Sequence, residues 1–188
     1  MDERKKGWLR DRKVAIVITI VIMILSTGFG AHRSLENRGE YAEWVFYHGS
    51  YGDGGGIQSE LDTRAGLASN LLIVAGRYLD DEDEAVQRLK NAREALVQAE
   101  DIGEKYIANE ELSQAADNLA QVLNACSLTE NDRRYQRGII VEMESAYEII
   151  GHDEYNTLAN AYNRNVLGSF PANILKEIVG VEELETFN

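Results

Sequence analysis

Cysteine, proline and histidine are scarce in this chain of 188 residues, which has one Cys, one Pro and three His. Because Cys126 is alone, an internal disulfide and a cysteine metal cluster are excluded, and its place on an apolar stripe predicts a small buried residue. A di-iron site in a helical bundle needs Glu-x-x-His on two helices, whereas after residue 56 the only histidine is His152. The sequence therefore predicts no metal and no cofactor.

Positive charge is also sparse beyond the first residues. Residues 1–13 contain six basic and three acidic side chains, which leaves 13 basic and 29 acidic groups in the remainder. A domain this acidic repels a polyphosphate backbone, so the charge balance disfavours nucleic-acid binding. A solvated surface is the simpler interpretation of this charge, and an acidic recognition face is the alternative.

Catalytic patterns are lacking as well. A single histidine with Ser145 or Ser169 has no surrounding sequence typical of a catalytic triad. Neighbouring carboxylates such as Glu142 and Glu144 are common on solvated helix faces. We therefore expect a protein that is not an enzyme.

The first feature that is present is an apolar segment of eighteen uncharged residues, 14–31. Eighteen helical residues extend about 27 Å, close to the ~30 Å of a bilayer core, which predicts a single-pass transmembrane helix. A cleavable signal peptide, with Gly28 and Gly30 imitating its cleavage site, and a buried helix of a soluble fold are the alternatives. The basic cluster before the segment predicts a cytoplasmic N-terminus and an acidic domain outside, in the periplasm or the extracellular space.

A glycine-rich stretch, Gly49 to Gly56, follows a weakly amphipathic membrane-proximal segment. A phosphate-binding loop would need a following Gly-Lys-Ser/Thr, and a dinucleotide fingerprint would need another glycine spacing. The stretch is therefore interpreted as a flexible hinge or linker.

From Ile57 onward the apolar period is helical. The acidic run 80–84 and Thr129 are typical of helix starts, and spacings of seven from Ala85 to Tyr106 are typical of bundles and coiled coils. A last long helical segment, 133–168, changes apolar phase at Gly151-His152, which predicts a kink or a bulge. The predicted fold is all-α: a transmembrane helix followed by an elongated antiparallel helical bundle.

Two Tyr-Asn pairs lie seven residues apart near the end of the chain. They are followed by Phe170 and the only proline, so the structural motif comprises Tyr155, Asn156, Tyr162, Asn163, Phe170 and Pro171. Seven residues are almost two helical turns, so the pairs share a face, and a repeated Asn can fix the register between helices. Pro171 ends the helix, Phe170 can fold back on the bundle, and a short helix is expected over 172–179.

The pattern YN-x5-YN-x6-FP, with the following "NILKEIVGVEELETF", resembles the C-terminal signature of the LemA family. The segment "IQSELDTRAGLASNLLIVAGRYL" is similar to that family's first conserved helix, through Leu61, Arg64 and Asn70, and the similarity extends over residues 57–187. Two prolines that are usual in the family, after the start of its first conserved helix and after its third helix, are replaced here by Ser69 and by Cys126-Ser127. The glycine-rich stretch also interrupts a helix that members normally continue towards the anchor. The resemblance implies a membrane-anchored helical bundle and supplies no reaction.

These observations divide the chain into a basic cytoplasmic tail (1–13), a transmembrane helix (14–31), a membrane-proximal segment with the hinge (32–56) and a LemA-like bundle (57–188). We expect a non-enzymatic interaction or scaffold module at the membrane surface. Its expected partners are the lipid bilayer and a protein partner or a second copy of the chain. A ligand-carrying or enzymatic bundle with a cleft between helices is the alternative.

Overall fold

The computed structural model describes residues 12–52 and 54–188, and every regular element within them is a helix. Residues 1–11 of the predicted tail and Asp53 of the predicted hinge lie outside this range. The all-α class is confirmed. In chain order the elements are α1 Arg12–His48, α2 Ile57–Ala75, α3 Glu84–Gln98, α4 Ile102–Ala125, α5 Glu130–Gly151, α6 Tyr155–Ala161, a π-helical turn Tyr162–Leu167, and α7 Ala172–Val179.

Contacts within the chain define two compact units. Unit 1 comprises Met1–Tyr41 and Ala161–Leu184, and unit 2 comprises Ala42–Asn160 and Glu185–Asn188. The sequence-based domain boundaries at residues 13, 31 and 56 stay predictions.

Unit 2 contains a bundle built from α2 to α5. α2 packs against α5 and α3, and α3 packs against α4. The inward faces are aliphatic because Leu and Ala recur every three or four residues, which puts them on one side of each helix. The most deeply buried leucines of this bundle are Leu61, Leu71, Leu89, Leu112, Leu119 and Leu123.

The helix starts in this bundle follow the predicted capping chemistry. Asp83, from the acidic run, accepts a hydrogen bond from the Ala85 amide at 2.9 Å. Thr129 accepts one from the Asp132 amide at 3.2 Å. Each side chain satisfies an amide that has no partner within its helix, so both starts are fixed by local sequence.

Helix α1 joins the predicted transmembrane segment and the membrane-proximal segment into one helix. It contains a span long and apolar enough to cross a membrane, and none of its 18-residue apolar window is buried. Further along α1, Ala42, Val45 and Phe46 are buried in unit 2, whereas Trp44 and Tyr47 are exposed. The membrane-proximal aromatic residues therefore differ in burial: Phe46 lies in the core of unit 2, and Trp44 and Tyr47 lie at its surface.

The two ends of the glycine-rich stretch, Gly49 and Gly56, are buried against the end of α1, whereas Tyr51, Gly52 and Gly54 are exposed; its flexibility stays a prediction. The Gly49 amide donates to the Val45 carbonyl at 2.8 Å, and the Gly54 amide donates to the His48 carbonyl at 3.0 Å. A Cβ atom at Gly56 would lie 2.5 Å from the Phe46 carbonyl oxygen and 2.7 Å from that of Val45. Only glycine fits where the chain returns this closely to the end of α1.

The long helix predicted for 133–168 is broken into three pieces. α5 ends at Gly151, α6 begins at Tyr155, and the π-helical turn follows. Asp153 accepts a hydrogen bond from the Tyr155 amide at 2.8 Å, so a new helix start replaces the predicted kink. The phase change was the correct signal, and its result is a break between two helices.

Two further expectations for unit 2 are corrected. The sevenfold spacing from Ala85 to Tyr106 belongs to two helices, because the backbone at Ala99 is extended and α4 begins at Ile102. Cys126 is half-buried and not a core residue, because α4 ends at Ala125 and leaves this side chain at the edge.

Unit 1 contains the first part of α1, the π-helical turn and α7. Leu35, Tyr162 and Leu167 form its buried cluster. Partly buried apolar side chains surround this cluster; they are Val166, Ala172, Val179, Val181 and Leu184. The predicted terminal helix over 172–179 is present with these bounds.

Candidate functional site

The first Tyr-Asn pair lies at the start of α6 in unit 2. The Tyr155 ring is fully buried and meets the Phe46 ring edge to face, with centroids 5.1 Å apart. Its hydroxyl donates to the Glu185 carbonyl at 2.5 Å, so the polar end of the ring is satisfied inside the core. Burial, followed by the charges of Glu43 and Glu185, raises the pKa of the Tyr155 phenol far above its ordinary value.

Asn156 pairs with the backbone of Phe187 through both ends of its amide. The Phe187 amide donates to Asn156 Oδ1 at 2.7 Å, and Asn156 Nδ2 donates to the Phe187 carbonyl at 2.8 Å. The Phe187 ring is buried and meets the rings of Tyr106 and Phe46 at centroid distances of 5.4 and 5.8 Å. One asparagine thus fixes both polar backbone groups of a residue that lies outside any helix.

The second pair lies in unit 1 and repeats the amide contact. The Leu184 amide donates to Asn163 Oδ1, and Asn163 Nδ2 donates to the Leu184 carbonyl, each at 2.8 Å. Tyr162 differs from Tyr155, because its hydroxyl donates to the Leu35 carbonyl of α1 at 3.1 Å. A Cβ atom at Gly39 would lie 3.3 Å from the Tyr162 ring, so α1 carries glycine where the ring approaches it.

The two asparagines and Tyr155 therefore bind the C-terminal segment, residues 181–188, which has no regular secondary structure. The sevenfold spacing in the sequence predicted that the asparagines fix the register between helices. The amides instead bond to backbone groups of an extended segment, which lack partners from a helix or a sheet. No signal in the sequence identified Leu184 and Phe187 as the partners.

The last two residues of the motif, Phe170 and Pro171, take no part in these contacts with the C-terminal segment. Phe170 is 81% exposed, so the expectation that it folds back on the bundle is wrong. Pro171 precedes α7 at its N-cap position, consistent with its inability to continue the helix before it.

A second candidate site, which the sequence analysis missed, surrounds Arg64 on α2. Arg64 is only 2% exposed; its guanidinium donates to Asn109 Oδ1 and, at 2.6 Å, to Ser113 Oγ. The guanidinium carbon lies 5.0 Å from the centroid of the Tyr147 ring, a distance typical of a cation–π contact. Desolvation lowers the pKa of Arg64, and the nearby Glu110 acts in the opposite direction.

The Arg64 cluster contains polar atoms that are buried without a hydrogen-bond partner among the described residues. They are Arg64 Nε, Asn109 Nδ2 and Glu110 Oε1. A groove of about 370 Å³ borders the cluster; its lining includes Arg64, Ser113, Asp117, Met143, Glu144 and Tyr147.

Helical spacing in the sequence contains a signal for this cluster. The signal was the spacing: Arg64 follows Leu61 by three residues and precedes Ala68 by four, which places it on the apolar face. Asn109 precedes Leu112 by three residues in the same way. Both positions face the core by helical geometry, whatever residue occupies them.

A third cluster holds the start of α5 to the end of α2. Asp132 accepts hydrogen bonds from the Tyr78 hydroxyl at 2.5 Å, from the Thr129 hydroxyl at 2.8 Å, and from Arg77. The bonds from Tyr78 and Thr129 lower the pKa of the Asp132 carboxyl, and Arg77 adds to this effect. Three side chains therefore bind the one carboxylate of Asp132, an arrangement typical of a structural contact between helices.

Among residues 12–52 and 54–188, no group of three His, Cys, Asp or Glu side chains is arranged to hold a metal ion.

Comparison with known proteins gives one family match. A family model described as "LemA family" matches residues 54–188, which is most of the chain and covers α2 through the C-terminal segment. No curated protein matches the sequence.

Proposed function

From the premise that the chain belongs to the LemA family and carries an apolar N-terminal helix, we propose that it is a membrane-anchored interaction module that catalyses no reaction. In this proposal α1 crosses the bilayer once and presents unit 2 at the membrane surface. A protein partner, or a second copy of the chain, binds there.

The unburied apolar window of α1 supports the anchor. A core helix of a soluble protein would bury much of such a window, whereas none of this one is buried. Exposed apolar side chains continue along it; they include Ile16, Ile20, Ile24, Leu25 and Phe29. Lipid is the medium in which this surface is stable, because water disfavours contiguous apolar patches of this size.

The orientation in the proposal rests on charge. Six basic side chains occupy residues 1–13, and Lys and Arg flanking a membrane span are enriched on the cytoplasmic side. The acidic remainder of the chain would then lie outside the cytoplasm.

The single observation that carries the interaction role is that the polar groups of two of the three clusters, the Tyr-Asn pairs and the Asp132 cluster, are engaged in structural contacts. Asn156 and Asn163 bind the backbone of the C-terminal segment, and Asp132 joins α5 to α2. Groups committed in this way hold the helices and the terminal segment in place. They leave the exposed surface of unit 2 as the part available to a partner.

Cross-linking in native membranes followed by purification of the full chain tests this proposal. We expect a reproducible cross-linked protein partner or a defined oligomer of the chain. Recovery of the uncross-linked monomer alone, at a cross-linker concentration that captures a known membrane complex, would contradict it.

A labelling experiment tests the orientation. Val141 is exposed on α5, so a Val141→Cys variant in a Cys126→Ser background offers one accessible thiol. A membrane-impermeant maleimide should label intact cells to the same extent as lysed cells. Labelling only after lysis would reverse the proposed topology.

The groove beside Arg64 favours a second candidate function, that of a ligand carrier. It offers a partly apolar cleft between α2, α4 and α5, and its lining includes Arg64, whose Nε atom is buried without a hydrogen-bond partner among the described residues. A thermal-shift screen of the full chain in detergent, against small carboxylates and small amines, tests this function. A shift that Arg64→Lys weakens and a surface control, Arg88→Lys, leaves unchanged would support a carrier.

A further inference from the structure

The short helix α7 exposes a stripe of apolar side chains. Phe170, Ile174 and Ile178 are spaced by four residues, and their exposed fractions are 81%, 57% and 74%. Spacing by four places Ile174 and Ile178 on one side of α7, and the exposed Phe170 lies in the turn that precedes the helix. We refer to these three residues as the α7 stripe.

The opposite side of α7 faces the core of unit 1. Ala172 and Val179 pack against the buried cluster of Leu35, Tyr162 and Leu167. The helix therefore has one apolar side that packs on the core of unit 1 and a second apolar side that residues 12–52 and 54–188 leave exposed. A large exposed apolar surface on a short helix is typical of a contact with lipid or with protein.

The position of Leu35 indicates which contact this is. Leu35 follows the apolar span, which ends at Ala31, by four residues, or about 6 Å of helix. The headgroup layer on each side of the hydrocarbon core is about 6 Å thick. Because Leu35 lies in the cluster that α7 covers, a bilayer around residues 14–31 brings α7 to the depth of the headgroups.

We propose that α7 is an interfacial helix whose stripe of Phe170, Ile174 and Ile178 inserts into the outer headgroup region of the same bilayer that α1 crosses. This inference rests on the proposed anchor. Lipid accounts for the stripe without a second molecule, because the membrane span and α7 belong to the same compact unit. Tyr162 reinforces this arrangement, since its hydroxyl bonds the π-helical turn to the backbone of α1 at Leu35.

Site-directed spin labelling of the full chain in phosphatidylcholine and phosphatidylglycerol vesicles tests the inference. Single cysteines are introduced into a Cys126→Ser background as Ile178→Cys, as Glu177→Cys, and as Ile20→Cys. Position 178 reports on the stripe, exposed position 177 is its neighbour on the same helix, and position 20 reports on the anchor. For each label, accessibility to oxygen, which concentrates in lipid, is compared with accessibility to a water-soluble nickel complex.

We expect the oxygen-to-nickel ratio to be several-fold higher at position 178 than at position 177, and highest at position 20. Equal low ratios at 177 and 178, with a high ratio at 20, would overturn the inference and leave the anchor intact. A low ratio at 20 would overturn the anchor itself. Spectral broadening at 178 that disappears on dilution with unlabelled protein, together with a low ratio, would also overturn the inference, because it would assign the stripe to a second copy.

Discussion

The two Tyr-Asn pairs are the same dipeptide placed in two compact units, and they differ in only one of their two contacts. Asn156 and Asn163 each bind one residue of the C-terminal segment through both ends of the amide. The tyrosines diverge: Tyr155 bonds to that segment at Glu185, and Tyr162 bonds to α1 at Leu35.

The asparagines have a role that is the same in both units, whereas the role of each tyrosine depends on its surroundings. An asparagine amide matches the donor and acceptor of any backbone residue, so the Asn position can be repeated without regard to the neighbouring side chains. A tyrosine ring needs a cavity of its own shape, so its contacts depend on the unit that surrounds it. We infer that the asparagines hold the segment and that each tyrosine fixes its own unit.

Removal of the Tyr155 ring should have the largest effect on stability. Tyr155→Ala should lower the free energy of unfolding by about 3–5 kcal/mol, because a fully buried aromatic side chain leaves a cavity beside Phe46. Urea unfolding of the full chain in detergent, followed by circular dichroism, measures this change. A loss below about 1 kcal/mol would mean that the ring is not a core element of unit 2.

The asparagines should act separately and more weakly. Asn156→Ala leaves both backbone groups of Phe187 without their partner, at a loss of about 1–3 kcal/mol. Hydrogen exchange should accelerate at the Phe187 amide in Asn156→Ala and at the Leu184 amide in Asn163→Ala. Asn156→Asp retains the acceptor for the Phe187 amide and is the matched control. Equal acceleration at both amides in either variant would contradict the separate roles.

Removing only the hydroxyl of Tyr155 should have a smaller effect, of about 0.5–1.5 kcal/mol at neutral pH. Because burial raises the phenol pKa in the folded state, the contribution of Tyr155 is complete below the ordinary pKa of 10.0 and is lost as the pH rises above that value. Tyr155→Phe should therefore make stability less sensitive to alkali. Stability curves of both proteins between pH 8 and 11 measure this; parallel curves would show that Tyr155 does not ionise later than an exposed tyrosine.

The smallest expected effect concerns the contact between Gly39 of α1 and the Tyr162 ring. Gly138 has open space around its Cα, so Gly138→Ala should stabilise α5 by about 0.5–1 kcal/mol through helix propensity. Gly39→Ala should gain less than this or lose stability, because the new methyl group meets the Tyr162 ring at 3.3 Å. Thermal unfolding of both variants makes the comparison. An equal gain at the two sites would show that the Gly39 contact is not tight.

Local patterns in the sequence predicted the helix starts and the last helix. Ile57, Asp83 and Thr129 begin or cap helices where the period and the capping chemistry indicate, and α7 occupies the expected residues. These features depend on residues within a few positions of one another, which a linear pattern contains.

Features that depend on distant residues were not predicted. Phe187 lies 31 residues after Asn156, and Asn109 lies 45 residues after Arg64, so neither partnership leaves a periodic trace. Arg64 occupies a core-facing position, and helical spacing locates it there, yet a charged residue at such a position is normally interpreted as exposed. The close approach of Gly56 to the carbonyls of Val45 and Phe46 was not predicted for a related reason, because it depends on where the end of α1 lies.

The most direct test of the account is extraction of native membranes at alkaline pH, with the full chain compared to a variant carrying Ile20→Asp and Ile24→Asp. Alkali removes proteins held at a membrane by surface contacts and leaves those that span it. The account predicts that the unchanged chain stays in the membrane pellet and that the variant, whose span now contains two carboxylates, is released. Release of the unchanged chain into the supernatant would contradict the membrane anchor.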